Sequence, residues 1–302
     1  MLAAEARSLA KKFGRTVAVR DATFTVEEGE AAALVGPNGA GKTTTLKLML
    51  GLLKPDKGSL RVLGLDPWRN GREVRMQVGV LHEKPVFPEW AKVESILSYV
   101  ASLKKLDKTH IDRALRLSGL EPYRSSKVKH LSRGYLQRLG VAAAILGEPK
   151  LLLLDEPTAN LDPLARAEII QLRKVLKEEL DTTMIISSHI LPELEQICDS
   201  LVIISRGVTI CSGRVSELAT KYAASILYEV KTADPRALAS QLIRIRGVKL
   251  VEVVGSSQLR VKVAPEAKAK LLSLLENSNL ATEVKAKSAD LYSLYELALA
   301  EH

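Results

Sequence analysis

The sequence predicts an α/β fold: a mainly parallel sheet covered by helices, with a helical insertion and a second, smaller α+β unit. Three observations lead there. Short apolar runs at residues 31–35, 151–154, 184–187 and 201–205 alternate with helical patterns, and strand–helix–strand alternation produces parallel strands under helices. Residues 88–146 break that rhythm with SILSYVASLKKL, HIDRALRLSGL and YLQRLGVAAAIL, which read as helix throughout and suggest a subdomain inserted into the sheet. Near residue 223 the pattern changes again, to the strands and helices of a separate unit.

Each element has its own reason. Residues 31–35, AAALV, read as a buried strand, followed by a glycine loop and the helical TTLKLMLGLL. At the helix that opens on Pro163, Asp162 can cap the first turn and proline suits the first position. Ala165, Ile169, Leu172, Leu176 and Leu180 then fall on one face. Beyond residue 223 come a strand (226–232), a helix (235–245), two strands (249–254 and 259–263), a helix (265–276) and a last strand (282–286). In the fourth of these, Leu259, Val261 and Val263 alternate with Arg260 and Lys262. That β-α-β-β-α-β order is the ferredoxin-like arrangement, followed by a helix at about 289–300. The expected domains are therefore 1–222, carrying the helical insertion at about 88–146, and 223–302.

Composition narrows the class. The chain has 302 residues, 46% hydrophobic and 26% charged, ordinary values for a globular protein of about two domains. The two cysteines, Cys198 and Cys211, form no CxxC and have no histidine spaced to join them, so neither a disulfide framework nor a zinc site is expected. No uncharged stretch exceeds eleven residues, whereas a membrane helix needs about twenty apolar ones. The N-terminal MLAAEARSLAKKFG has no apolar core of signal-peptide length, so the chain reads as intracellular. The formal charge of +9 is scattered, with Lys104, Lys105 and Lys108 as its densest cluster, and it reads as a solvated surface.

Two segments carry chemistry. Gly36-Pro37-Asn38-Gly39-Ala40-Gly41-Lys42-Thr43, followed by Thr44, matches GxxxxGK[ST] directly after a strand and before a helix. The glycines let successive backbone N–H groups face a polyphosphate, and the helix N-terminus adds about half a positive charge. Lys42 should reach the β- and γ-phosphates, and Thr43 should offer its hydroxyl to Mg²⁺. The run 151–154 then ends in Asp155 and Glu156. Alone, an acidic pair after a strand is usually a helix cap. Beside a phosphate loop, Asp155 is placed to hold Mg²⁺ and Glu156 to take the proton of an attacking water, as a general base worth about 10²–10⁴ in rate.

With these motifs the chain resembles the ATP-binding subunit of an ABC transporter over about residues 2–220. Leu131-Ser132-Arg133-Gly134-Tyr135, followed by Gln137 and Arg138, stands where the family has its LSGGQ signature; Ala159-Asn160-Leu161-Asp162 fits the D-loop; Ser187-Ser188-His189 fits the switch histidine; and Phe13 sits where an aromatic stacks on adenine. The resemblance implies a P-loop NTPase fold, a RecA-like mixed sheet with an inserted helical subdomain and an antiparallel β region. It implies ATP and Mg²⁺ as cofactors and two such subunits, in a homodimer or heterodimer, paired head to tail. ATP would lie between the Lys42 loop of one subunit and Ser132 and Gly134 of the other, with Asp162 at the same interface. His189 would contact the γ-phosphate and order the water and Glu156.

Two departures stand out. Glu83 occupies the family's Q-loop glutamine position, with His82 as the alternative one residue away; a carboxylate can ligand Mg²⁺ but cannot donate an amide hydrogen bond. Arg133 and Tyr135 replace Gly and Gln in the signature. Since Ser132, Gly134 and Glu156 are retained, an active site is expected. The chain has one ATPase unit, no fused membrane domain, no long coiled coil and no zinc cysteines, which leaves a transport ATPase whose multi-span permease subunits are separate chains. The resemblance is to exporter-type subunits of the multidrug, antibiotic and sodium efflux branch. It implies a cytoplasmic protein, peripheral on the inner face of the membrane, with no direct nucleic-acid partner. A soluble ABC ATPase acting on nucleic acid or ribosomes is the competing reading, and it draws only on the basic charge.

Overall fold

In the computed structural model, residues 1–180, 182–195, 197–222, 226–278, 280–287, 295, 298 and 299 are described. They fall into two units, Met1–Arg214 and Val215–His302. The first opens on a hairpin of two long strands, β1 (Leu2–Phe13) and β2 (Thr16–Glu27). Gly14, at φ +55°, supplies the positive φ that a two-residue turn requires. Ala22, Phe24 and Val26 alternate inward along β2 with exposed Thr23 and Thr25, the period of a half-buried strand.

After β3 (Ala31–Val35), α1 (Lys42–Met49), β4 (Lys57–Val62) and α2 (Gly71–Gln77) comes β5 (Val78–Leu81). The insertion follows, with α3 (Val93–Lys104), α4 (Lys108–Leu117) and α5 (Arg133–Ile145). Then come β6 (Leu151–Asp155), α6 (Pro163–Leu180), β7 (Thr183–Ser188), β8 (Ser200–Ser205) and β9 (Val208–Arg214). The strands form one nine-stranded sheet in the order β4-β1-β2-β9-β8-β3-β7-β6-β5. Strands β5, β6, β7, β3 and β8 run parallel, while β1, β2 and β4 pair antiparallel. The expected mixed sheet with its antiparallel region is present. Every residue of β3 and β6 is buried, as strands covered on both faces must be.

The insertion is helical, but not throughout. Between α4 and α5 the chain makes only two single 3₁₀ turns, Glu121–Tyr123 and Val128–His130. Gly119, at φ +68°, and Pro122 interrupt the periodic pattern there.

The second unit holds α7 (Val215–Tyr222), β10 (Ile226–Thr232), α8 (Pro235–Leu242), β11 (Val248–Val254), β12 (Gln258–Val263), α9 (Lys268–Asn277) and β13 (Ala281–Lys287). Its sheet order is β11-β12-β10-β13, antiparallel throughout, with both helices of the β-α-β-β-α-β unit in sequence place. Val230, Leu259, Val261 and Val263 face Leu238, Leu242, Leu271 and Leu275 in its core. The division into units falls at 214/215, against 222/223 expected from the sequence, and the difference is α7. The last expected helix, 289–300, lies outside the described residues apart from 295, 298 and 299.

Candidate nucleotide site

Parallel strands in register end together, and that places the site. Val35 pairs with Ser188 and with Ile203, and Asp155 pairs with Ser187. The carboxyl ends of β3, β6 and β7 therefore share one edge, the edge where open α/β sheets bind ligands.

From β3 the chain passes through residues 36–41 into α1. Only glycine fits at two of these positions. A Cβ on Gly36 would fall 2.1 Å from the Ile204 carbonyl oxygen, and one on Gly41, itself at φ +108°, would fall 2.5 Å from that of Ala18. Pro37, Asn38 and Gly39 are exposed, Ala40 is buried and Thr44 is half-buried. Lys42 is buried, and its Nζ donates to the Gly36 carbonyl at 2.7 Å.

Asp155 and Glu156 meet this loop from β6. Thr43 Oγ1 donates to Asp155 Oδ1 at 3.3 Å, and Ser187 Oγ donates to the same oxygen at 2.6 Å. Glu156 Oε1 lies 3.2 Å from Lys42 Nζ, and Glu156 Oε2 lies 2.8 Å from His189 Nδ1. A lysine, a carboxylate and an imidazole from three segments thus make one chain of contacts. Glu156 itself has φ +45°, a left-handed conformation that costs a residue with a side chain about 1–3 kcal/mol. Its N–H is held there by the Ser187 carbonyl at 3.1 Å and the Ser187 hydroxyl at 3.0 Å. The next residue is anchored too, since buried Gln137 donates from α5 to the Pro157 carbonyl at 2.9 Å. Ser187 and Gln137 lie within the sequence motifs with no role of their own there; the strand register and the fold of α5 bring them to this loop.

Among the described residues, no hydrogen bond or ion pair joins the other sequence-predicted residues to this cluster. Ser132 is exposed and caps α5, accepting from the Tyr135 N–H at 3.3 Å. Gly134 is buried, and a Cβ there would stand 3.0 Å from that of Ala165. Asp162 caps α6, accepting from the N–H groups of Leu164 and Ala165 at 3.1 and 3.0 Å. Phe13 is half-exposed at the end of β1, with Lys11 Nζ 5.6 Å from its ring centre. Glu83 is half-buried and lines a cavity of about 360 Å³ with Arg133, Leu136, Gln137 and Asn160, whereas His82 is exposed. Among the described residues, no hydrogen bond or ion pair links Glu83 to Thr43 or Asp155.

A phosphate loop, a strand-end acidic pair and a histidine directly after the neighbouring strand define a nucleotide-hydrolysing P-loop protein. The family model described as ABC transporter matches residues 19–159. The chain is 37% identical to the bacitracin transport ATP-binding protein BcrA of Enterococcus faecalis, over 71% of this chain and 70% of that one. It is 33% identical to the Nod factor export ATP-binding protein I of Burkholderia orbicola, over 86% of each. Among solved structures, an ATP-binding subunit of an ABC transporter matches with a TM-score of 0.65 and 32% identity, covering 73% of this chain and 93% of that one. CbiO1 of Clostridium perfringens, part of the ABC transporter complex cbiONQ, matches with a TM-score of 0.65 and 27% identity, covering 81% and 97%. The chain belongs to the ABC transporter ATP-binding proteins, a family that hydrolyses ATP to power transport.

Proposed function

We propose that this chain energises an exporter by ATP-driven, head-to-tail closure of two ATP-binding subunits, with membrane domains on separate chains. The observation that carries the reading is the Lys42–Glu156–His189 chain of contacts beside Asp155 and Thr43. Lys42 takes the β- and γ-phosphate oxygens, helped by the backbone N–H groups of its loop and the N-terminus of α1. Glu156 accepts a proton from the attacking water, and His189 orients that carboxylate and contacts the γ-phosphate. Phe13 stacks on the adenine. The oxygens of Thr43 and Asp155 suit a small, hard cation. Thr43 and Asp155, with Glu83 as a further expected ligand, would hold Mg²⁺, which would supply charge neutralisation for the phosphates.

Ser132, Gly134 and Asp162 act on the partner subunit's nucleotide, which fits their separation from the Lys42 cluster within one chain. ATP is then a ligand that binds the closed pair far better than the open one, and its hydrolysis lets the pair open. Export is supported by similarity to a bacitracin transport and a Nod factor export ATP-binding protein. No helix among the described residues is long and apolar enough to cross a membrane, and docking on a permease from the cytoplasmic side supplies the attachment. The exposed apolar side chains Val86, Trp90, Tyr99 and Leu103 lie in the segment expected to receive a cytoplasmic helix of that permease. The C-terminal domain expected at 223–302 serves as a packing or dimer-stabilising module.

The test is to purify the chain from detergent-solubilised membranes of its native cells and identify stoichiometric partners by mass spectrometry. A multi-span membrane protein is the expected result. Ribosomal proteins or nucleic acid in its place would overturn the reading.

A further inference from the structure

Behind the Glu156–His189 contact lies a second tie between the same two segments, and it is buried. Thr158, two residues after Glu156, donates its hydroxyl to Glu193 Oε2 at 2.6 Å. Glu193 sits four residues after His189, in the single turn Leu191–Glu193. Both are nearly inaccessible, Thr158 at 1% and Glu193 at 8%. The two hydrogen bonds close a ring through Glu156-Pro157-Thr158 on one side and residues 189–193 on the other.

Two arginines of α6 back this ring. Arg173 is 1% exposed, with an NH2 nitrogen 3.8 Å from Glu193 Oε2, and Arg166 Nε lies 3.5 Å from Glu193 Oε1. Neither is hydrogen-bonded to the carboxylate. All three Arg173 guanidinium nitrogens, Arg166 Nε and Glu193 Oε1 are buried without a hydrogen-bond partner. Burial lowers the pKa of Arg173, and the Glu193 charge opposes that shift. A half-satisfied buried ionic cluster is a poor way to stabilise a fold. The carboxylate makes its one short bond to Thr158, leaving both arginines at longer range. Its position follows the Glu156 loop, while the arginines supply the positive field that keeps a charge tolerable inside. Helix α6 begins at the Asp162 cap, so the same cluster connects the Glu156 loop, the His189 segment and the helix behind the D-loop.

We propose that Glu193, held by Thr158 and backed by Arg173 and Arg166, is a positioning residue for ATP hydrolysis, fixing the Glu156 loop against the His189 segment. This rests on the assignment of Glu156 as the base. It does not touch nucleotide, so its loss should lower turnover and leave ATP affinity alone.

The test is steady-state ATP hydrolysis by the full chain carrying Thr158→Val, which removes the hydroxyl and keeps the side-chain shape. The expected result is a fall in kcat of about tenfold or more with KM for ATP within about twofold, and recovery of most of the loss in Thr158→Ser. Unchanged kcat in a folded Thr158→Val, or an equal loss in Thr158→Ser, would overturn the proposal. Should Thr158→Val not fold, Glu193→Gln, which keeps an oxygen for Thr158, replaces it; it should retain more turnover than Glu193→Ala, and equal loss in both would contradict the role. Glu156→Gln run alongside separates the two claims. Full hydrolysis by Glu156→Gln discards the base assignment and the positioning role built on it, whereas an inactive Glu156→Gln beside an unaffected Thr158→Val discards the positioning role alone.

Discussion

The phosphate-loop cluster and the signature turn are built by opposite means. At the first, Lys42, Asp155, Glu156, Ser187 and His189 come from three segments that parallel register brings to one sheet edge, and they are tied to one another at 2.6–3.2 Å. At the second, Ser132, and likewise Asp162 in the D-loop, sits at the start of its own helix, and among the described residues its side chain bonds to that helix's backbone N–H groups alone. The first group is held by contacts between segments, the second by local helix caps. A helix N-cap holds a side-chain oxygen through its own helix's N–H groups alone, which under the proposed pairing leaves it free to meet another subunit's phosphate. Under the proposed pairing, the comparison separates residues expected to bind ATP within the chain from residues expected to act on a second subunit's nucleotide.

The largest effect should come from Lys42→Ala. It removes the buried ammonium that meets both the loop carbonyls and Glu156, and ATP affinity measured by titration calorimetry should fall about a hundredfold or more. Next is Ser132→Ala. Loss of the α5 cap should lower stability by about 1 kcal/mol. ATP binding by the isolated chain should stay within about twofold, while hydrolysis falls about tenfold as the cross-subunit contact is lost. Equal losses of binding in the two variants would erase the contrast between the two regions. The smallest change is Glu83→Gln, which restores an amide donor beside Arg133. Hydrolysis should shift by less than about tenfold, and a gain would mean that Glu83 tunes the site down.

Much of this was legible in the sequence. Four of the five strands of the parallel core, β3, β6, β7 and β8, are marked by an apolar run, because strands covered on both faces admit little else; β5, four residues long and containing Gly79, is not marked in this way. The phosphate loop was legible because its chemistry demands glycine where Ile204 and Ala18 close in. The antiparallel β1–β2 hairpin was not singled out, since its half-exposed strands mix charge with alternation, and MLAAEARSLAKK resembles a helix start as much as a strand. The break between α4 and α5 hid inside a helical pattern whose Gly119 and Pro122 were the only signs. The Thr158–Glu193–Arg173 cluster had no local signature at all, because its members lie 15–35 residues apart and meet only through the packing of α6 against the strand ends.

The most direct measurement is single-turnover ATP hydrolysis and ATP binding by Glu156→Gln, with Mg²⁺ present. The account predicts binding close to that of the unsubstituted chain and a hydrolysis rate lowered by about 10²–10⁴, with the ATP-bound pair accumulating in light scattering. Full hydrolysis by this variant would contradict it, and would move the base away from the carboxylate that Lys42 and His189 hold between them.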